Sequence, residues 1–216
     1  NNYYHCGFTS GNNETREERP SFPSDEFDTF KDIGLFRIHY DTTGNDAPEQ
    51  GYEDDIQIYP DDDDNGIPDY IDALGEAANY SYNFIRYDLG YQNADLIISD
   101  CDSNSSCEDR GGSSLYDIYV NDREAASETN GSRTEYGSNE DDVDIESGPV
   151  TSFIFIDNGM TEIDYHTHGI DAMKTTIAHE FFHAIQRTYR NYASSSYGLE
   201  YFYEMSSAWI EDIIYP

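Results

Sequence analysis

Two histidines four residues apart constrain the fold of this chain more than any other feature. They are His179 and His183, in the sequence HEFFH. On an α-helix these positions lie one turn apart on the same face, so both imidazoles can reach one ion. Glu180 lies beside the first histidine and can act as the base for a water molecule that the ion polarises. The motif therefore predicts a helix that carries a zinc site of the hydrolytic type.

A third zinc ligand is expected from Glu204, on the helix that follows. The two helices are predicted over about residues 171–190, with Asp171 as N-cap, and 199–214. Zinc in hydrolases typically takes three protein ligands and leaves one position open. Two antiparallel helices joined by a short loop would bring Glu204 opposite the histidine pair, and the small side chain of Ala208 would let them approach closely.

Two further carboxylates follow on the second of these helices. Glu211 lies two turns beyond Glu204 on the same face, so it is the competing ligand. If Glu204 binds the ion, Glu211 or Asp212 is expected to orient one of the histidine rings from behind.

The spacing of HEFFH and the downstream glutamate resembles that of the gluzincin metallopeptidases. In chain order, the segments FRIHYDTTG, NGIPDYID, GGSSLYDIYV, TSFIFIDN, TTIAHEFFHAIQ and E-x-x-x-AWIED resemble a family of secreted prokaryotic metallopeptidases known largely by sequence. The resemblance implies an α+β, zincin-like fold and a peptide or protein substrate. It also implies zinc ligation by His179, His183 and Glu204, with Glu180 as general base.

Gluzincins usually continue into a helical C-terminal lobe that supplies a transition-state donor, whereas this sequence ends at Pro216. The lobe is therefore expected to be missing, or the donor to come from the residues present. The local candidates for that donor are His166, His168, Tyr189, Tyr201 and Tyr203.

The sequence DDDDNGIPDYID, residues 61–72, matches the calcium loop of twelve residues. Gly66 stands at the sharp turn, and a predicted helix follows the loop. A strand precedes it, so a solitary loop with a structural ion is expected rather than a paired EF-hand. The alternative is an acidic turn without an ion. The expected ligands are Asp61, Asp63, Asn65, the Ile67 carbonyl, Asp69 and Asp72.

The chain is strongly acidic, with 45 Asp and Glu against 11 Lys and Arg and a formal net charge of -34. Nucleic acid is excluded as a partner because phosphate binding needs clustered cations. A saline setting, which screens self-repulsion, and calcium binding are both compatible with this charge. No stretch is apolar for long enough to span a membrane.

Cysteines and glycosylation sequons favour an extracellular or cell-surface location. Cys101 and Cys107 bracket a short polar loop and are predicted to form a disulfide. Cys6 is then predicted to have no disulfide partner within this chain. Sequons that permit N-glycosylation occur at Asn13, Asn79, Asn104 and Asn130.

The predicted organisation is an extended arm over residues 1–33 and one domain over 34–216, with a mixed sheet of about four to five strands. Residues 34–40 and 151–157 read as strands, and TSFIFID (151–157) is a candidate edge strand for pairing with a substrate peptide. A helix is predicted over 73–89, and 121–149 reads as a long surface excursion.

The sequence thus predicts a secreted zinc-dependent endopeptidase. One alternative is a non-catalytic, calcium-stabilised surface or filament-forming protein that self-associates and retains a zinc site. Glu180 argues against that alternative, because a purely structural zinc site has no need of a base. A zinc hydrolase of non-peptide bonds is the other reading that the ligands allow.

Overall fold

The computed structural model describes residues 19–20, 26–49, 52–53, 56–57, 61–62, 64–92, 111–123, 136–141, 151–161, 167–189 and 200–216. Within these residues the strands are β1 Thr29–Ile33, β2 Phe36–Tyr40, β3 Tyr52–Glu53, β4 Ile56–Gln57, β5 Tyr116–Asn121, β6 Gly137–Asp141 and β7 Ser152–Asp157. The α-helices are α1 Asp69–Asn83, α2 Gly169–Tyr189 and α3 Glu200–Ile214, and a π-helical turn, Phe84–Asp88, extends α1.

Five strands form one mixed sheet in the order β1-β2-β5-β7-β6. The three central strands are parallel to one another, whereas β1 and β6 are antiparallel edge strands. Strands β3 and β4 form a separate two-stranded ladder. The sequence prediction of an α+β fold with a mixed sheet of four to five strands is confirmed.

The helices cover one face of this sheet because the apolar side chains of the strands alternate toward it. Phe36, Ile38, Ile118 and Ile154 are all fully buried in the core beneath α1 and α2. Helix α2 lies against β6, β7 and α1, and α3 packs on α2. The zinc-motif helix is therefore held between the sheet and the last helix.

The opposite face of the sheet is also buried, so the central strands are covered on both sides. Tyr119, Phe153 and Phe155 cluster there with Phe27. Arg19 reaches the same face, where it pairs with the fully buried Asp117 and donates to the Ser152 carbonyl at 3.2 Å.

The predicted arm over residues 1–33 is wrong at its C-terminal end. Thr29–Ile33 is the edge strand β1, which forms a hairpin with β2. Gly34 makes the turn at a φ of 61°, a left-handed conformation that favours glycine.

Three other features of the fold differ from the predictions. Helix α1 begins at Asp69, directly after Pro68, whose fixed φ of -57° suits a helix start. The predicted excursion over 121–149 contains β6. Because β6 lies outside β7, the predicted edge strand TSFIFID is an inner strand, and the sheet edge on this side is β6.

Asn79 does not have the free side chain that a glycosylation site requires. Its amide donates to the carbonyls of Ile33 and Gly75, both at 2.8 Å, and its oxygen accepts from the Leu35 amide at 3.2 Å. A glycan there would break these hydrogen bonds between α1 and the β1–β2 turn. The Asn79 side chain therefore has a structural role.

The remaining predicted modifications, at Asn13, Asn104, Asn130 and the three cysteines Cys6, Cys101 and Cys107, lie outside the described residues. No helix in the described part of the chain is long and apolar enough to cross a membrane.

Candidate metal centre

Burial on the sheet side fixes the rotation of α2. Phe181 is fully buried and meets the rings of Phe36 and Tyr116 edge-on, at centroid distances of 5.4 and 5.8 Å. With that face locked against the core, His179 and His183 turn toward α3. Asp171, the predicted N-cap, lies in the first turn of α2 instead, because the helix begins at Gly169.

Three donor atoms converge between α2 and α3. The Nε2 atoms of His179 and His183 lie 3.1 Å apart, and the two carboxylate oxygens of Glu204 lie 3.3 and 3.4 Å from them. Tetrahedral zinc, with bonds of about 2.0–2.1 Å, separates its ligand atoms by about 3.3 Å. The Nε2–Nε2 distance and the distance from each Nε2 to one Glu204 oxygen are close to this value, and one ligand atom from each residue lies within 4.8 Å of the others, so these residues could hold a metal ion.

The outer nitrogens of both rings are occupied, which determines what faces the centre. His179 Nδ1 meets Glu211 Oε1, and His183 Nδ1 lies 2.8 Å from Gln186 Oε1. Both partners are acceptors, so each Nδ1 carries the proton and each Nε2 presents a lone pair. Two lone pairs and a carboxylate this close repel one another unless a cation lies between them.

Glu204 is ionised in this setting. Burial would raise its pKa, but when the rings of His179 and His183 are protonated, their hydrogen bonds to Glu204 outweigh burial and lower the pKa to about 2, and a metal cation in place of those protons would act in the same direction. An anionic oxygen is the form that binds a metal ion.

Glu180 is fully buried, and neither of its carboxylate oxygens has a hydrogen-bond partner among the described residues. Such a group is costly unless it serves a function. On β6, Gly137 lies directly beside it, since a Cβ there would come within 3.1 Å of Glu180 Cγ and 2.8 Å of Thr176 Cγ2. Because glycine has no side chain, the edge strand can lie directly against Glu180.

An arginine ties the same edge strand to α2. Arg187 is buried and donates to both the side-chain and backbone oxygens of Asn139 on β6. Asn139 in turn donates to the Tyr116 hydroxyl at 2.9 Å, which meets Ser152 Oγ at 2.9 Å. This chain of hydrogen bonds fixes β6 relative to the histidines.

Gln186, Ser207, Arg187 and Gly137 were not identified from the sequence. Gln186 lies three residues after His183, a spacing that places two side chains on one helix face and is the signal that could have revealed it. Its amide also donates to Tyr203 O at 3.1 Å and Ser206 Oγ at 2.9 Å, which links α2 to α3.

Of two predictions about α3, the structure distinguishes between the alternatives of one and contradicts the other. Glu211 contacts His179, whereas Asp212 is exposed. The small residue at the interface is Ser207, which is fully buried and lies 3.3 Å from His183 Nδ1, whereas Ala208 is exposed. The difference is one of helical phase, since the face that carries Glu204 also carries residues 207 and 211.

The candidate transition-state donors are not brought together at the centre. His168 precedes α2, about 16 Å along the helix axis from His179 at the helical rise per residue. Tyr201 lies one turn from Glu204 but is 68% exposed, and Tyr189 is 50% exposed. The contact of Tyr203 with Gln186 is through its backbone carbonyl. His166 lies outside the described residues.

The described part of the predicted calcium loop folds around its own carboxylates. Asp61 accepts from the amides of Asn65 and Gly66 at 3.0 and 2.8 Å, and Asn65 donates to Asp72 at 2.8 Å. Asp69 accepts from the Asp62 amide at 3.2 Å. Asp69 and Asp72 both lie in the first turn of α1. Ile67 follows Gly66, whose φ is 84°, and Asp63 lies outside the described residues.

In comparisons with known proteins, the chain matches no protein-family model, no curated protein and no solved structure. Evidence for a function therefore comes from the chemistry of the centre itself.

Proposed function

We propose that this protein is a zinc-dependent endopeptidase, with His179, His183 and Glu204 as zinc ligands and Glu180 as general base. One observation carries the proposal: two imidazole nitrogens lie 3.1 Å apart, each lies 3.3 to 3.4 Å from one of the two Glu204 carboxylate oxygens, and next to them is a buried carboxylate without a hydrogen-bond partner among the described residues.

The donor set favours zinc over harder cations. Calcium and magnesium prefer six or more oxygen ligands, whereas two imidazoles and one carboxylate with an open fourth position are typical of catalytic zinc. The fixed Nδ1 protons of both histidines support the same assignment, because a ligating histidine almost always donates its other N–H to an oxygen.

A zinc ion held by these residues would polarise a peptide carbonyl and the attacking water. Glu180 would take a proton from that water and pass it to the leaving amine. Its environment suits this role, since neither carboxylate oxygen is engaged by a hydrogen bond from the described residues. His179 and His183 keep their Nδ1 protons throughout, because these N–H groups donate hydrogen bonds to Glu211 and Gln186.

A peptide is the favoured substrate because a sheet edge lies beside the base. Strand β6 is an edge strand, and Gly137 on it contacts Glu180. An extended peptide that added to this edge would pass close to the centre, and the ladder hydrogen bonds would be independent of its sequence.

The proposal has two further parts. The loop at residues 61–72 binds calcium, and the protein is secreted to an extracellular or cell-surface location. The ion would neutralise the acidic cluster and fix the start of α1. The non-catalytic alternative, a self-associating surface protein that retains a zinc site, gives no role to the buried Glu180 carboxylate.

The test compares the wild-type chain with Glu180→Gln, which preserves size and removes the base. Both proteins are loaded with zinc, their metal content is measured, and hydrolysis of a peptide library is followed. We expect equal zinc content and a loss of about 10²- to 10⁴-fold in kcat for the variant. Bound zinc with no hydrolysis by either protein, or equal rates for both, would refute the proposal.

A further inference from the structure

The exposed face of α3 is unusually apolar. Tyr201, Phe202, Met205 and Trp209 are 68, 57, 48 and 49% exposed, and Ala208 between them is exposed as well. At the helical rotation of about 100° per residue, these five positions span about 120° of the helix circumference. An exposed apolar face of this kind is typical of a surface that binds a partner or ligand.

This face, formed by Tyr201, Phe202, Met205, Ala208 and Trp209, borders the metal centre. Glu204 lies about 60° around the helix from Tyr201 and about 40° from Ala208. The same turns of α3 therefore carry Glu204, the proposed third metal ligand, and next to it the apolar side chains of this face. A polypeptide that reached the centre from this direction would pass over the apolar face.

The charge around the face is entirely negative on its own helix. Helix α3 contains Glu200, Glu204, Glu211 and Asp212 and no Lys, Arg or His. The whole chain carries a formal net charge of -34. Such a surface attracts polycations and repels polyanions, and the resulting steering weakens with salt.

We propose that the apolar face of α3 receives the substrate polypeptide, and that the preferred substrate segment combines apolar side chains with Lys or Arg. The proposal rests on the proposed function, because it names the substrate class of that same site. A second copy of the chain is the less favourable occupant, since two molecules of charge -34 repel one another.

Binding to this face can be measured without catalysis, because Trp209 is the chain's single tryptophan. Zinc-loaded Glu180→Gln protein is titrated with a short peptide of Leu, Phe and Lys, and with a matched peptide in which Glu replaces Lys. We expect the cationic peptide to shift the tryptophan emission to shorter wavelength and to bind about tenfold more tightly or better at low salt. The preference should shrink as salt is added.

Two substitutions locate the binding surface. Met205→Gln places an uncharged polar group within the apolar face and is expected to weaken binding of the cationic peptide by about tenfold, because an amide buried against apolar groups must be desolvated. Tyr87→Ser removes another exposed aromatic, 69% exposed, from the π-helical turn and should leave binding unchanged.

Equal affinity for both peptides, no tryptophan response, or equal effects of the two substitutions would overturn the proposal. A tryptophan shift that follows protein concentration without peptide would also overturn it, by identifying the face as a contact between copies. These outcomes are independent of the proposed function, because hydrolysis of a neutral peptide by the wild-type chain tests that separately.

Discussion

The side-chain oxygen of Gln186 lies 2.8 Å from Nδ1 of His183, and its amide nitrogen donates to Tyr203 O and Ser206 Oγ on the next helix. One side chain thus fixes the proton on a histidine that we propose as a zinc ligand, and it joins the two helices that carry the three proposed ligands. Gln186 is a positioning residue, and its effect should appear in metal affinity.

Substitution of Gln186 by Leu should weaken zinc binding by about tenfold to a hundredfold, because His183 loses the acceptor that orients its ring. Zinc dissociation constants from chelator competition provide the measurement. Gln186→Glu retains an acceptor for the Nδ1 proton and should recover part of the affinity. The control is Gln92→Leu. Gln92 is exposed, and its side chain donates a hydrogen bond to the nearby Gly90 carbonyl. Equal affinities for Gln186→Leu and the control would contradict the assignment.

Glu211 and Asp212 should behave differently although they are neighbours. Glu211→Ala removes the acceptor on His179 Nδ1 and should lower zinc affinity by about tenfold to a hundredfold. Asp212→Ala removes an exposed carboxylate and should leave affinity unchanged. The same chelator competition distinguishes the two, and a larger effect from Asp212 would show that the helical phase assigned to α3 is wrong.

Gly137→Ala should lower both stability and activity. The added methyl would lie 2.8 Å from Thr176 Cγ2 and 3.1 Å from Glu180 Cγ, so β6 or Glu180 must shift. Overpacking of this kind typically costs about 1–3 kcal/mol of unfolding free energy. Denaturant unfolding and kcat are the two measurements. A variant with unchanged stability and unchanged kcat would show that β6 does not pack closely beside the base.

Calcium should stabilise the chain through the loop at residues 61–72. Binding to the folded state alone raises the unfolding free energy by about 2.7 kcal/mol at a hundredfold excess over Kd. Thermal unfolding with zinc retained should therefore move to higher temperature when calcium is added. Asp72→Ala should abolish the shift, whereas Asp88→Ala, an exposed carboxylate outside the loop, should preserve it. No shift in the wild-type chain would leave the loop as an acidic turn.

The sequence predicted those elements whose side chains follow a local periodic pattern. HEFFH defined a helix and two donors, and the apolar segments at 36–40 and 152–157 formed buried strands, because side-chain periodicity survives in any context that buries one face. Glu204 followed from the length of a helical hairpin, and the donor spacing now supports that choice of ligand.

Strand β6 was missed because GSNED has no apolar alternation. It is an edge strand, held by the ladder to β7 and by Arg187, and neither interaction leaves a local signal. The choice of Ser207 over Ala208 at the helix interface depended on helical phase, which a boundary uncertain by a residue or two cannot fix. The long-range partners of Arg19, Asn79 and Asp117 depended on tertiary packing alone.

The central claim is that His179, His183 and Glu204 bind one zinc ion and leave a position open. X-ray absorption at the zinc edge of the zinc-loaded chain tests it most directly. We expect four light-atom ligands at about 2.0–2.1 Å, including the multiple-scattering signature of two imidazoles. Glu204→Ala should lower zinc affinity while that imidazole signature remains. A sulfur ligand, six-fold coordination, or an unchanged spectrum and affinity after loss of both histidines would contradict it.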